Sequence, residues 1–292
     1  PAGFYTVCLA VFFERWAACA IGASVVLMLC QRYGYSRGDA LRMAGLFNAA
    51  SYLATVPGGL AVDRVLGSRR SLGVGMALLA LGYAALTLSG STALCATLVL
   101  LLSGHALFKP ATQAVIGRLY EPHDPRLDAA QIAFYLAVNA GGTVGAVAAG
   151  LLLRAHDFRI LCAVSAGAML SARMVLAIGN RSLRLRAKRP SIPFAASSAE
   201  VVAHPQRIKV ILGMTLAMML YTVGFGQVEG SLFLWAQDRT ARVLLGFEIP
   251  ASWFVGLPAF LVLILAPVQL AVLPKIQRRI TTQRLVAWGL VA

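Results

Sequence analysis

The 292-residue chain is 59% hydrophobic and 13% charged, with a mean hydropathy of +0.76. Soluble domains carry about 25% charged residues, so this composition excludes a soluble globular protein and fits an integral membrane protein. A net charge of +15 would point to nucleic acid in a soluble chain, but here the basic residues sit between apolar runs and read as membrane topology.

Eight apolar spans are predicted, near 4–30, 43–62, 71–89, 92–117, 129–153, 160–179, 208–236 and 252–274. A ninth begins near Leu285. The first run, Gly3 to Cys30, would make a helix about 42 Å long, enough to cross a hydrocarbon core of about 30 Å. It holds one charged pair, Glu14 and Arg15. An ionised side chain at that depth costs about 2.5 kcal/mol or more unless it faces protein or water. Neighbours on a helix point about 100° apart, so at least one member should face a partner across a bundle. The pair is either a structural tie between helices or a proton or substrate site. The five cysteines lie inside apolar runs and read as packing residues.

The connections alternate in charge. Those after spans 2, 4, 6 and 8 hold sixteen of the 26 Lys and Arg residues, and the opposite connections hold seven. The positive-inside rule therefore puts the sixteen, and the N-terminus, in the cytoplasm of a multi-pass cell-membrane protein. The stretch 181–207 is basic, then rich in Pro, Ser and Ala. It is expected to link a six-span half (1–180) to a second half (208–292) and to touch lipid headgroups rather than nucleic acid. In span 5, Gly141 and Gly145, and the set Gly142, Ala146 and Gly150, recur every four residues, the small-residue pattern of close helix contact.

Residues 58–70, GGLAVDRVLGSRR, place Gly59, Asp63, Arg64, Gly67, Arg69 and Arg70 at fixed spacing after span 2. This resembles the cytoplasmic loop motif of the major facilitator superfamily, where the resemblance implies a conformational latch. Four further stretches resemble the proton-dependent oligopeptide transporter branch of that superfamily. They are FFERWAACA (12–20), LFKPATQA (107–114), FYLAVNAGG (134–142) and the segments of spans 7 and 8 within 224–267. The resemblance implies an all-α helical bundle, with twelve or more spans in the full protein. The start at Pro1 and the end inside an apolar stretch read as cuts.

The same resemblance marks Glu14 and Arg15 for proton coupling. It marks Arg15, Tyr52, Lys109, Asn139 and Gln227 for substrate contact. Lys109 precedes Pro110, which removes a backbone donor and is expected to kink or open the helix. It would hold a peptide carboxylate or pair with Glu14. Tyr52 is a groove wall or an interface anchor, and Asn139 meets a peptide backbone or ties two helices. His105 lies one turn before Lys109 and is either a satisfied core residue or a titrating partner.

The chain also departs from the family pattern. Val11 replaces a glutamate, Ala18 and Cys19 replace tyrosines, and Gly22 replaces an arginine. Gly226 replaces an acidic residue and Pro258 an asparagine. Glu229, three residues after Gly226, is expected to restore the lost carboxylate one turn along. The implied function is proton-coupled symport of di- or tripeptides or peptide-like solutes, driven by the proton gradient and needing no cofactor. The departures keep two alternatives open, a different small solute and a non-transporting sensor or scaffold. No enzyme motif or metal-ligand spacing appears in the sequence.

Overall fold

The computed structural model describes residues 2–121, 124, 126–183, 185 and 205–277. The chain runs through α1 (Ala2–Gly22), α2 (Val25–Tyr33), α3 (Arg37–Leu53) and α4 (Thr55–Ala61), then a π-helical turn at Val62–Leu66. It continues through α5 (Ser68–Ala85), α6 (Ser91–Leu119), α7 (Arg126–Ala155) and α8 (Phe158–Gly179). After 181–204 come α9 (Pro205–Gly226), α10 (Ser231–Arg239) and α11 (Ser252–Gln277). A short antiparallel hairpin, β1 (Val243–Leu244) and β2 (Phe247–Glu248), joins the last two helices.

The centre of the bundle is made by α1, which packs against α7 and α8, and by α5, which packs against α6 and α8. Helix α11 lies along α7. The buried face of α1 is Gly3, Phe4, Val7, Ala10, Val11, Glu14, Ala17, Ala20 and Ile21. Its spacing of three and four is the stripe a helix presents to a core. The small-residue pattern of α7 is used on two sides. A Cβ at Gly141 or Gly145 would strike the carbonyls of Phe12 and Trp16, so that stripe lets α1 approach. Gly142 lies against Cys19 of α1 and Ala259 of α11, and Gly150 meets Pro250, Ser252 and Trp253. One helix thus holds neighbours on both flanks through van der Waals contact, the main source of association in lipid.

Several expected spans differ in detail. The first is not one continuous helix. It breaks at Ala23 and Ser24, where the Ser24 hydroxyl donates to the carbonyls of Ala20 and Ile21. The second is divided by Ala54 and ends in the π-helical turn. The seventh breaks at 227–230. Among the described residues, five stretches are long and apolar enough to cross a membrane: Ala2–Gly22, Ser91–Leu119, Ala129–Ala155, Phe158–Gly179 and Ile208–Arg239. Helix α5 falls short because Arg69 and Arg70 occupy its first turn. The expected ninth span, and most of the linker at 181–207, lie outside the described residues. Among the cysteines, Cys162 is buried in the core, whereas Cys95 is exposed and does no packing there.

Candidate functional site: a buried carboxylate and its cations

Helix α1 directs Glu14 into the bundle because position 14 falls in the buried stripe. The residue is 1% exposed, and no other carboxylate residue is buried among the described residues. Arg15 lies just outside the stripe, but its long side chain folds back. Its Nε donates to Glu14 Oε2 at 2.6 Å and its Nη2 donates to Oε1. The two adjacent residues therefore pair in a bidentate fork, the strong form of a charge-assisted bond. The cross-bundle neighbour of Glu14 is not Lys109 but His105 of α6, whose Nδ1 is 3.6 Å from Glu14 Oε1. His105 is buried, and its Nδ1 has no hydrogen-bond partner among the described residues. Tyr83 of α5 is also fully buried and lies in the electrostatic field of Glu14 and Arg15.

Lys109 stands one turn along α6 from His105. It acts on Glu14 and Arg15 through space and makes no ion pair among the described residues. Its Nζ lies 4.6 Å from the centroid of the exposed Tyr52 ring. The ring's negative face attracts a cation at that distance, and Tyr52 serves as a wall beside the lysine. Helix α6 runs unbroken from Ser91 to Leu119 across Pro110, so the expected opening does not occur. Pro110 does remove the donor that Ala106's carbonyl would receive. Gly58 of α4 packs against that same carbonyl, so closely that a Cβ at position 58 would strike it.

Glu229 sits in the turn after α9, against Gly22 at the end of α1. A Cβ at position 22 would lie 3.4 Å from Glu229 Oε2. The carboxylate is half-buried and feels the charge of Arg15. The small residue at 22 leaves the space Glu229 occupies, so the second half brings an acid to the first-half charge centre. Asn139 and Gln227 are not drawn into it. The Asn139 amide donates to the Tyr135 carbonyl at 2.8 Å, and the Gln227 carbonyl accepts from Ser231 Oγ at 2.8 Å. Asn139 is half-buried and Gln227 exposed, and both side chains are tied to their own helix or turn.

The latch residues lie at the helix ends. Gly59 faces Pro110, and Asp63 and Arg64 are exposed in the π-helical turn. Gly67 has φ 76° and ψ 149°, a conformation that side chains resist, which accounts for glycine in that place. Arg69 donates to the side chain and carbonyl of Asn180, and Arg118 donates to Ser68 Oγ at 3.0 Å. On the opposite side Arg37 of α3 pairs with Asp238 of α10, joining the first and second halves. The sequence offered two unlike charges there but nothing to show that they meet.

The Major Facilitator Superfamily model matches residues 7–292. The chain is 25% identical to the uncharacterised transporter YclF of Bacillus subtilis (strain 168), over 92% of this chain and 66% of that one. It is 26% identical to the peptide transporter YePEPT of Yersinia enterocolitica (strain YE-P4), over 89% of this chain and 65% of that one. The chain thus spans just under two thirds of these curated relatives. A crystal structure of peptide transporter POT in complex with sulfate superposes with a TM-score of 0.78 at 22% identity, covering 97% of this chain and 70% of that one. A POT family transporter in complex with 5-aminolevulinic acid superposes with a TM-score of 0.79 at 18% identity, covering 97% and 72%. The likeness of fold is broad, and the chain belongs to the major facilitator superfamily.

Proposed function

We propose that the full protein is a proton-coupled symporter of short peptides or peptide-like solutes, working by alternating access. Its first half would be 1–180, followed by a cytoplasmic linker at 181–207 and a second half from 208. The N-terminus would be cytoplasmic and the protein would lie in the cell membrane. The observation that carries the reading is Glu14, enclosed in the bundle with its charge met by the Arg15 fork and with His105 close by. A proton arriving on that carboxylate loosens the fork and frees the guanidinium to hold a substrate carboxylate. Lys109, backed by Tyr52, supplies a second cation for the same group, and Glu229 faces the substrate amine. A relative named for peptide transport and a matching permease, the dipeptide and tripeptide permease A of Escherichia coli (strain K12), support the substrate class. The Arg37–Asp238 pair fits a contact that ties the halves together on the side opposite the latch in one stage of the cycle.

The test is uptake of a labelled dipeptide panel into vesicles holding the full-length protein, with and without an inward proton gradient. The gradient is expected to stimulate uptake of at least one dipeptide about tenfold or more. Equal uptake across the panel with and without the gradient would overturn the proposal. The missing tyrosines at Ala18 and Cys19 favour one second reading, a smaller or non-peptide solute. A thermal-shift panel of amino acids and amides beside the dipeptides separates the two.

A further inference from the structure

Three of the latch residues, Gly67, Arg69 and Arg70, line a groove that the transport reading does not use. It has a volume of about 690 Å³ and lies where the ends of α5, α6 and α8 meet. Its charged lining consists of Arg69, Arg70, Arg118 and Arg181, without a carboxylate among the residues that line it. Four guanidinium groups of one sign repel one another, and a permanent concentration of that kind is stabilised by a counter-charge. Arg69 is committed to a neutral partner, Asn180, in bonds that fix its guanidinium plane without cancelling its charge, and Arg118 donates to Ser68. Arg70 and Arg181 are exposed, and neither has an ion-pair or hydrogen-bond partner among the described residues. The floor is the first turn of α5, which no side chain caps.

From this we infer that the groove is a binding site for a phosphate group, held by Arg70 and Arg181 and framed by Arg69 and Arg118. The chemistry is specific to type. A guanidinium presents a planar fork that matches two phosphate oxygens, and several forks from different helices meet a tetrahedral anion from several directions. The volume is within the range of small-ligand sites, large enough for a phosphate with its ester substituent. The groove lies at the helix ends, on the side to which sixteen basic residues assign the cytoplasm. An anionic phospholipid headgroup and a free phosphate both reach that level, and both carry the same recognised group. Because Arg69 and Arg70 belong to the latch motif, the bound anion joins α5 to the end of α8 and holds the latch in the arrangement seen here.

The test uses the full-length protein. In the first arm it is placed in nanodiscs of phosphatidylcholine with or without phosphatidylglycerol, and lipid retention is read by native mass spectrometry. In the second arm, detergent-solubilised protein is titrated with inorganic phosphate, with chloride at matched ionic strength as control, and thermal stability is read. Retained phosphatidylglycerol identifies a lipid headgroup. Stabilisation by millimolar phosphate beyond chloride identifies a free phosphate. Either effect should fall about tenfold in Arg70→Gln/Arg181→Gln. If that variant does not fold, Arg70→Lys/Arg181→Lys keeps the charge while removing the fork, and about a threefold loss is expected. Neither ligand binding in the wild type, or binding that survives these substitutions unchanged, overturns the inference.

Discussion

Two arginine settings in one bundle follow opposite rules. Arg15 lies beside the core, and its charge is met by the buried Glu14 at 2.6 Å. Arg70 and Arg181 lie at the helix ends, among charges of their own sign. In the core a lone charge has no water to turn to, so every one found there is paired or close to a pair. At the helix ends water and mobile ions screen repulsion over about 8–10 Å, so like charges can gather. Proximity alone does not tell function in this molecule. The core pair is a place where one proton changes a balance, while the groove is a place where an anion adds one.

The sharpest way to break this contrast is at Glu14. Glu14→Gln keeps the shape and removes the titrating oxygen. Proton-driven uptake is expected to fall about 100-fold, while exchange of substrate without a gradient persists. Coupled uptake at the wild-type level would show that the buried carboxylate is only a tie between helices.

Gly145→Val tests whether the core charge depends on how closely α7 approaches α1. The new side chain meets the Trp16 carbonyl. The expected cost is about 3 kcal/mol, read as a clear fall in melting temperature of the purified protein. An unchanged melting temperature would mean that the two helices separate without consequence.

Lys109→Gln removes a cation that faces Tyr52 rather than a carboxylate. The substrate KM is expected to rise about tenfold with little change in maximal rate, the pattern of lost ground-state binding. His105→Gln, at a buried position 3.6 Å from Glu14, is expected to reduce coupled uptake only about threefold. Uptake at the wild-type level would make His105 a packing residue.

The smallest effect belongs to a charge outside the membrane. The Arg126 guanidinium bonds to Asp124 and holds its carboxyl below the usual carboxylate range. A depressed carboxyl contributes stability above its ordinary pKa and loses it as pH falls through the lowered value. The Arg126 side chain is exposed to screening solvent, so Asp124→Asn should change uptake and melting temperature little above pH 5.

Much of this was legible in the residues. Composition gave the membrane class, and the spacing of Gly141 and Gly145 gave a close helix contact, though not that its partner is α1. Position 14 was marked by its cost in an apolar run. What remained hidden was relational. Adjacent residues on a helix diverge, yet Arg15 reaches back because its side chain is long enough to reverse direction. His105 was readable as a neighbour of Lys109, but its approach to Glu14 depends on how α6 is rotated against α1, which no periodicity in either helix states. The breaks at Ser24 and Ala54 were also missed, since hydropathy continues through them. Asn139 fell on the right motif, but its amide is engaged by its own helix.

The interruption at Ala23 and Ser24 has a mechanical meaning. Below it, α1 is gripped by α7 and carries Glu14. Above it, the nine residues of α2 are moored separately, through Arg32, to the carbonyls of Leu86 at 2.9 Å and Thr87 at 2.6 Å. A single stiff beam would carry any tilt of its upper end straight down to the carboxylate. Two rods that meet at an interruption carry it less directly. Val26, Met28 and Leu29 keep α2 packed in the core it shares with α1, so the rim stays attached to the helix that bears Glu14 without being one beam with it.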